Sequence, residues 1–277
     1  VPHTLVMSAT PIPRTMALTL YGDMDVSVIR HLPPGRQPIV TVIRSGQAAR
    51  EKVYRFLLTE VAAGRQGYVV CPLVEESDKL SAQSATEVFR ELTSSLLHGI
   101  RCGLLHGRMN ATDKETVMQD FAEGRISVLI ATTVIEVGIN VPKATMMIIE
   151  NAERFGLAQL HQLRGRVGRG ADRSYCVLLH DDETTAAPER LKVLAETGDG
   201  FIVAEKDLLL RGPGQFLGYR QHGLPEMKMA NLADDLHVLE EARQAGIMVM
   251  NTPELASEIM PLLQQRFNSF FGVLFAG

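Results

Sequence analysis

Gln159-Leu-His-Gln-Leu-Arg-Gly-Arg-Val-Gly-Arg-Gly170 is the stretch on which the reading of this chain turns. Leu160, Leu163 and Val167 recur at i, i+3 and i+7, so a helix here turns one apolar stripe toward a core. Arg164, Arg166 and Arg169 place three fixed charges among Gly165, Gly168 and Gly170. A guanidinium is planar, permanently charged and shaped for two-point contact with phosphate oxygens. Glycine beside it lets another backbone or a phosphate come close. The plain alternative is a solvated basic helix end, where arginines also suit the negative pole of the helix dipole. The surrounding chain has to separate the two.

Outward from that stretch, strand and helix patterns alternate. Strands are expected at 39–43, 68–70, 102–105, 128–130, 146–149 and 175–179, and helices at 48–63, 81–98 and 112–121. Thr112-x-x-Glu115 has the form of a capping box for the last of these. Val128-Leu-Ile130 is continuously apolar, as in a strand covered on both faces. Such alternation predicts an α/β fold with right-handed crossovers and a parallel sheet. Ligands of such sheets bind at the carboxyl ends of the strands. Two loops fall there: Leu105-His106-Gly107-Arg108-Met109, and Ala131 to Pro142 with Thr132 and Thr133 at its start. Threonine hydroxyls and backbone amides suit sugar-phosphate contact. Taken singly, His106 reads equally well as a satisfied loop histidine, and Thr132-Thr133 as a strand-end turn.

The flanks are less regular. Leu5-Val-Met7 reads as a short strand ending in Ser8-Ala9-Thr10, and Pro11 and Pro13 stop it, with a helix expected from Pro13. Pro33-Pro34-Gly35 and Pro38 mark a domain boundary. Asp181-Asp182-Glu183, after the strand at 175–179, is shaped like a Mg²⁺-holding acidic pair. Its preferred reading is the acidic N-terminus of the next helix. No Gly-x-x-x-x-Gly-Lys-Ser/Thr loop exists in the chain for such a pair to serve. Helices are expected at 188–197 and 201–210, with a third from Gln215 beyond Gly212-Pro-Gly214. Short connections make these an antiparallel hairpin. Two amphipathic helices follow, one marked by Leu232, Leu236 and Leu239, the other by Leu255, Ile259 and Leu262 and perturbed by Pro261. Phe267, Phe270, Phe271 and Phe275 form an apolar end, read as packed against the body because few basic residues interleave them.

With 277 residues, 45% hydrophobic and 22% charged, the composition is that of an ordinary globular protein. A net charge of −4 confines any nucleic-acid contact to local basic patches. Cys71, Cys102 and Cys176 are far apart and form no CxxC or Cys/His cluster, which argues against disulfide scaffolds and zinc sites and fits a reducing compartment. No apolar run approaches the length of a membrane span, so no membrane partner is expected. The opening Val1-Pro2-His3, without an initiator Met, is expected of a piece of a longer protein.

In this order, these strings resemble superfamily 2 helicases. Gln162-Leu-Arg-Gly-Arg-Val-Gly-Arg169 resembles the motif that in that superfamily contacts the terminal phosphates of ATP across a cleft between two motor domains. Met7-Ser-Ala-Thr-Pro-Ile-Pro-Arg-Thr15 resembles the first-domain motif that couples hydrolysis to movement. The loops after Leu105 and Ala131 resemble motifs of the second motor domain. Arg211-Gly-Pro-Gly-Gln-Phe-Leu-Gly-Tyr-Arg-Gln221 resembles the translocation motif shared by the RecG helicases and the transcription-repair coupling factors. Leu32-Pro-Pro-Gly-Arg36 and Val74-Glu-Glu-Ser77 point to the bacterial RecG family. The resemblance runs from about Pro2 to about Leu239.

The resemblance implies a RecA-like parallel sheet with helices on both faces, followed by a helical hairpin and C-terminal helices. Residues 1–38 would be a remnant of the first motor domain and linker, 39–182 the second motor domain, and 183–277 the hairpin and C-terminal helices. It implies an ATP-dependent DNA helicase or translocase that remodels branched DNA and stalled forks, working in the cytoplasm. Arg166 and Arg169 would neutralise charge on the transferred phosphoryl group, with Gln162 beside the nucleotide and Gly138 and Asn140 contacting it. His106, Arg108 and Thr133 would grip the DNA backbone, and Ser8, Ala9, Thr10, Arg190, Arg211 and Gln221 would couple hydrolysis to movement. ATP and Mg²⁺ would serve the full-length protein, with neither held by this chain alone. Its partners would be branched or forked DNA and the N-terminal motor and wedge domains of the same chain. Asn140 departs from the family's usual Asp; it keeps an acceptor oxygen but loses the charge that would pair with Arg166 or Arg169. Three other readings share parts of this pattern: a translocase that displaces stalled RNA polymerase, an RNA helicase of the same superfamily, and a non-enzymatic nucleic-acid-binding module.

Overall fold

The structure, a computed structural model, describes residues 5, 7, 27, 29, 37–72, 78–133, 140–181, 188–211 and 236–266, with side chains left undescribed at 78–84, 208, 211, 236, 237, 239 and 240. Its strands are β1 (Val40–Ser45), β2 (Gln66–Val70), β3 (Cys102–Leu105), β4 (Val128–Ala131), β5 (Ala144–Ile149) and β6 (Tyr175–His180). The helices are α1 (Gln47–Ala62), α2 (Asp78–Ser94), α3 (Ala111–Ala122), α4 (Leu157–Arg164), α5 (Glu189–Glu196), α6 (Gly200–Arg211), α7 (Leu236–Asn251) and α8 (Pro253–Arg266).

The six strands form one sheet in the order β1-β6-β5-β2-β4-β3, parallel at every pairing. Every residue of β2, β4 and β5 is buried, the polar Gln66 and Thr145 included, as expected of strands covered on both faces. α1 and α2 cover one face, where Leu57 and Leu92 pack with Val69, Ile130 and Ile148. α3, α4, α5 and the first turn of α6 serve the other, where Phe121, Leu160, Leu163, Leu191 and Val203 join Tyr68, Leu129, Met147 and Leu178. Each such leucine contributes about 2 kcal/mol of burial. At Gly67 a Cβ would lie 2.5 Å from Leu57 Cδ1, so the glycine in β2 is what lets α1 settle so close.

The chain divides into two compact units; the sheet and its helices through the first turn of α6 make up the first, and the rest of α6 with α7 and α8 lies in the second. In the second, α7 and α8 pack on each other across Thr252, and α8 continues as helix through Pro261. The expected strand at 5–7, the helix from Pro13, the helix from Gln215 and the phenylalanine tail lie outside the described residues.

Three local expectations are corrected. α3 is capped by Asn110, whose Oδ1 accepts the Asp113 N–H at 2.7 Å, and Thr112 lies inside the helix. The Asn110 amide also donates to the Asp113 carboxylate at 2.9 Å, so the cap is formed two residues before Thr112. Asp181 does not stand at a helix N-terminus: α5 begins at Glu189, and the Asp181 carboxylate accepts from the Asn151 amide. The arginine stretch is not helical to its end. α4 stops at Arg164; Arg166 N–H and Val167 N–H bond three residues back, to Leu163 and Arg164, and Gly168 at φ +73° turns the chain out. Val167 is nevertheless fully buried, so the apolar stripe was legible although the helix is shorter.

Candidate nucleotide and nucleic-acid interface

The carboxyl ends of the neighbouring strands β3 and β4 carry one set of residues. His106 and Arg108 follow β3, and Thr132 and Thr133 follow β4; the Thr132 N–H donates to Leu105 O at 3.1 Å and ties the two ends together. Arg108 is exposed and Thr133 half-buried. Lys114 Nζ, from the first turn of α3, donates to Gly107 O at 2.7 Å and brings a second cation to the same loop. His106 has a buried Nδ1 with no hydrogen-bond partner among the described residues. Burial, then the charges of Lys114 and Arg108, hold its pKa below the usual histidine range. A neutral imidazole flanked by two cations at a strand end is chemically suited to a sugar-phosphate backbone.

The three arginines separate. Arg164 is 5% exposed, and its guanidinium donates to the carbonyls of Leu194 and Thr197 at 2.7 Å each, with His161 Nδ1 at 2.9 Å and Gly198 O at 3.5 Å. It thus caps the C-terminus of α5, where carbonyls lack helical donors. Burial pushes its pKa down. Leu157, Leu160 and Arg164 stand at i, i+3 and i+7, so Arg164 lies on the buried stripe, a signal in the sequence that its charge conceals. Arg166, half-buried, and Arg169, exposed, follow in the turn beyond the helix. Arg169 Nε donates back to Gly165 O at 3.3 Å. Both charges reach β2: burial pushes the Tyr68 phenol up to about 12, and Arg166 and Arg169 pull in the opposite direction.

α4 starts from the carboxyl end of β5 and returns along the sheet. A Cβ on Gly168 would lie 2.9 Å from Ile39, just before β1, and one on Gly170 would lie 2.5 Å from the Pro142 carbonyl, just before β5. The arginine turn therefore backs onto the amino ends of the strands, about 20 Å from their carboxyl ends for a six-residue strand. Asn140, exposed and two residues ahead of Pro142, belongs to this same edge. Arg166, Arg169 and Asn140 thus lie toward the amino ends of the strands, and His106, Arg108 and Thr133 at the carboxyl ends. Gln162 is half-buried on α4. Arg190, in the first turn of α5, has a buried Nε without a partner among the described residues. Ser8, Ala9, Thr10, Gly138 and Gln221 lie outside the described residues, and the Arg211 side chain is undescribed at the end of α6.

Gly170→Ala is expected to cost about 2 kcal/mol of stability, because its methyl group meets a backbone carbonyl that cannot rotate away. Urea unfolding checks this; an unchanged midpoint would place the glycine's role elsewhere.

Sequence reasoning missed a buried polar cluster at the carboxyl end of β5. Glu150 Oε1 accepts from the Tyr54 hydroxyl at 2.5 Å and from Arg50 Nε at 2.9 Å, and Arg50 Nη1 reaches Glu91 at 2.9 Å. The cluster joins α1, α2 and β5 just ahead of Asn151, which stands at φ 48° and opens the loop leading to α4. Nothing local in the sequence signals it, since its hydrogen-bonded pairs are 41 to 100 residues apart.

Comparison with known proteins gives a consistent picture. The family model described as "Helicase conserved C-terminal domain" matches residues 48–171, and "ATP-dependent DNA helicase RecG, domain 3, C-terminal" matches residues 197–270. The chain is 48% identical to the ATP-dependent DNA helicase RecG of Synechocystis over 98% of its own length and 33% of that protein. It is 53% identical to the Thermotoga maritima protein of the same name over 87% of its length and 31% of that protein. A solved structure of RecG bound to a three-way DNA junction is similar at TM-score 0.66 and 49% identity, covering 84% of this chain and 30% of that one. The chain spans about a third of the length of the relatives it matches.

Proposed function

Because the chain belongs to the RecG family of ATP-dependent DNA helicases, we propose that it supplies the second motor domain and C-terminal helices of an ATP-dependent translocase acting on branched DNA and stalled forks. The observation that carries this is the division within the arginine stretch: Arg164 turns inward onto α5, while Arg169 stands exposed in a turn held by close-packed glycines. Such a turn is a rigid mount for a charge aimed out of the domain. Arg166 and Arg169 would stabilise negative charge on a transferred phosphoryl group, with Gln162, Gly138 and Asn140 near the nucleotide. His106, Arg108 and Thr133, at the opposite edge of the sheet, would hold a DNA backbone, reading shape and charge and not sequence. Ser8, Ala9, Thr10, Arg190, Arg211 and Gln221 would couple the two.

ATP would be gripped between this domain and the N-terminal motor domain of the longer protein. Among the described residues no group of three or more His, Cys, Asp or Glu is placed to hold a metal. We assign Mg²⁺ to carboxylates of that other domain because this sequence carries no phosphate-cradling loop beside which the ion would sit. No helix among the described residues is long and apolar enough to cross a membrane. Work on chromosomal DNA would place the longer protein in the cytoplasm. A motor of this kind binds DNA through the backbone, so the RNA helicase and polymerase-displacing readings differ in substrate and partner, not in this chemistry.

The chain alone is expected not to turn over ATP, because its sequence carries no phosphate-cradling Gly-Lys loop. Phosphate release is to be measured with and without forked DNA; stimulation by the fork would show that the hydrolytic groups lie in this domain after all. Adding forked DNA and duplex RNA in parallel to a full-length protein carrying this segment then tests the substrate: greater stimulation by RNA would reverse the assignment to DNA.

A further inference from the structure

Among the described residues one corner of the sheet stands open, and it carries none of the residues in the helicase reading. Among the described residues β1 is an outermost strand, paired with β6 alone. The Val40 N–H donates to Ser174 O at 2.9 Å, so Val40, Val42 and Arg44 bond inward to β6. Thr41, Ile43 and Ser45 then direct their backbone groups to the free edge. An exposed edge of this kind is a template for another strand, and proteins blunt it with charged side chains. Arg44 does so here: its Nη1 donates to the Ile43 carbonyl at 2.7 Å, occupying an outward acceptor of its own strand.

Beside this edge, on the α1 face, runs a groove. Val42, Met146 and Val177 form its floor, Phe56 a wall, and Arg44 and Lys52 its rim; no carboxylate lines it. Arg44 and Lys52 are exposed, and Phe56 is 37% exposed. The aromatic rings are not free to stack on bases. Phe56 meets Tyr175 edge to face at 5.0 Å, and the Arg173 guanidinium lies 5.8 Å over the Tyr175 ring. An apolar floor with two cations at its lip suits an acidic peptide better than a nucleic-acid backbone.

We infer that β1 and this groove are a docking site for an extended acidic, apolar segment of a partner protein, which adds to the sheet as a seventh strand. Val42 and Arg44 are two residues apart on one face, so the partner presents an apolar side chain and a carboxylate at the same spacing. The carboxylate draws the Arg44 guanidinium toward itself, and the Ile43 carbonyl is released to accept a backbone N–H of the incoming strand. The pairing thus selects for acid: a neutral or basic segment leaves Arg44 on its own carbonyl and the edge blocked. Main-chain bonds supply affinity and alternate side chains supply specificity, as in other strand additions.

The test uses the whole 277-residue chain and a fluorescein-labelled octapeptide, Val-Thr-Asp-Thr-Val-Thr-Asp-Thr. A version with Lys for Asp and a labelled oligonucleotide of eight thymidines serve as rivals. Anisotropy should show the acidic peptide binding at least about tenfold more tightly than the lysine peptide. The double variant Arg44→Glu, Lys52→Glu, at two exposed positions, should weaken it by about tenfold or more with an unchanged circular dichroism spectrum. Hydrogen exchange should slow at the Thr41, Ile43 and Ser45 amides when the peptide is bound. Equal binding of the two peptides, or indifference to the double variant, overturns the proposal. Tighter binding of the oligonucleotide makes the corner a nucleic-acid surface instead. Binding without protection of those three amides overturns the strand addition. None of these outcomes depends on whether Arg169 acts on a nucleotide.

Discussion

Arg169→Ala, in a full-length protein carrying this segment, is expected to lower the rate of ATP hydrolysis by about 10³-fold without unfolding the domain. Arg169 is exposed, and its Nε donates to Gly165 O at 3.3 Å, at the C-cap of the preceding helix α4. Among the described residues its removal strips no hydrogen bond from a buried group, so stability should hold. The turn that carries it is fixed independently, by Gly168 against Ile39 and Gly170 against Pro142. The charge is therefore mounted on packing that the substitution does not touch, and only its action on a ligand is lost. Arg164→Ala, five residues earlier, provides the contrast. It strips donors from the carbonyls of Leu194 and Thr197 and should appear as a lower melting temperature. Steady-state phosphate release and thermal denaturation are to be measured on the same preparations. If kcat for Arg169→Ala stays within about threefold of the parent, Arg169 is a surface charge and the transition-state role is withdrawn.

Arg211→Ala is expected to separate ATP turnover from DNA movement. Arg211 is the last residue of α6, and α6 begins at Gly200, directly after the carbonyls of Thr197 and Gly198 that Arg164 holds. The arginine stretch is thus joined, through one buried guanidinium, to the end of α5 and the short connection ahead of α6. A shift of α4 during the ATP cycle would be carried into α6 as a unit, because packed helices move as bodies. Arg211 lies 42 positions beyond Arg169 in sequence, and the reading gives it no part in polarising phosphate. DNA-stimulated ATPase should stay within about fivefold of the parent, while fork unwinding falls by more than about tenfold. Gln221→Ala, ten residues on, should behave alike. A parallel fall in both activities would place these residues in catalysis or folding, and no fall in either would make the segment a passive scaffold.

All six strands from β1 onward, and five of the helices, α1, α2, α3, α5 and α6, stood in the sequence within a few residues of their observed limits. They were legible because their signals are local. β4 is an apolar run only four residues long, and Leu57 and Leu92 mark the buried faces of α1 and α2 by helical periodicity. What misled was also local. Thr112 and Glu115 have the form of a cap, but Asn110 with Asp113 has it too and stands nearer the strand. The stripe Leu160, Leu163, Val167 suggested a helix through Val167. Val167 keeps its buried place through bonds to residues three back, and that change of helix type leaves no mark on hydrophobic periodicity.

The amino-acid order by itself determined that this is an alternating α/β chain with an arginine-rich stretch in a helicase-like sequence of motifs. Those facts rest on residue type and spacing along one strand or one helix turn. Tertiary structure alone decided which arginine is which. Arg164 and Arg169 are chemically identical and five positions apart, yet one caps a helix whose carbonyls lie 30 to 34 residues downstream, and the other faces outward. It also decided that the arginine turn lies at the amino edge of the sheet, opposite His106 and Thr133, and that β1 ends the sheet with its outward carbonyl covered by Arg44. The reason is that burial, capping and strand order are set by the partners a residue meets, and those partners are brought together by chain closure over tens of residues, beyond the reach of any local pattern.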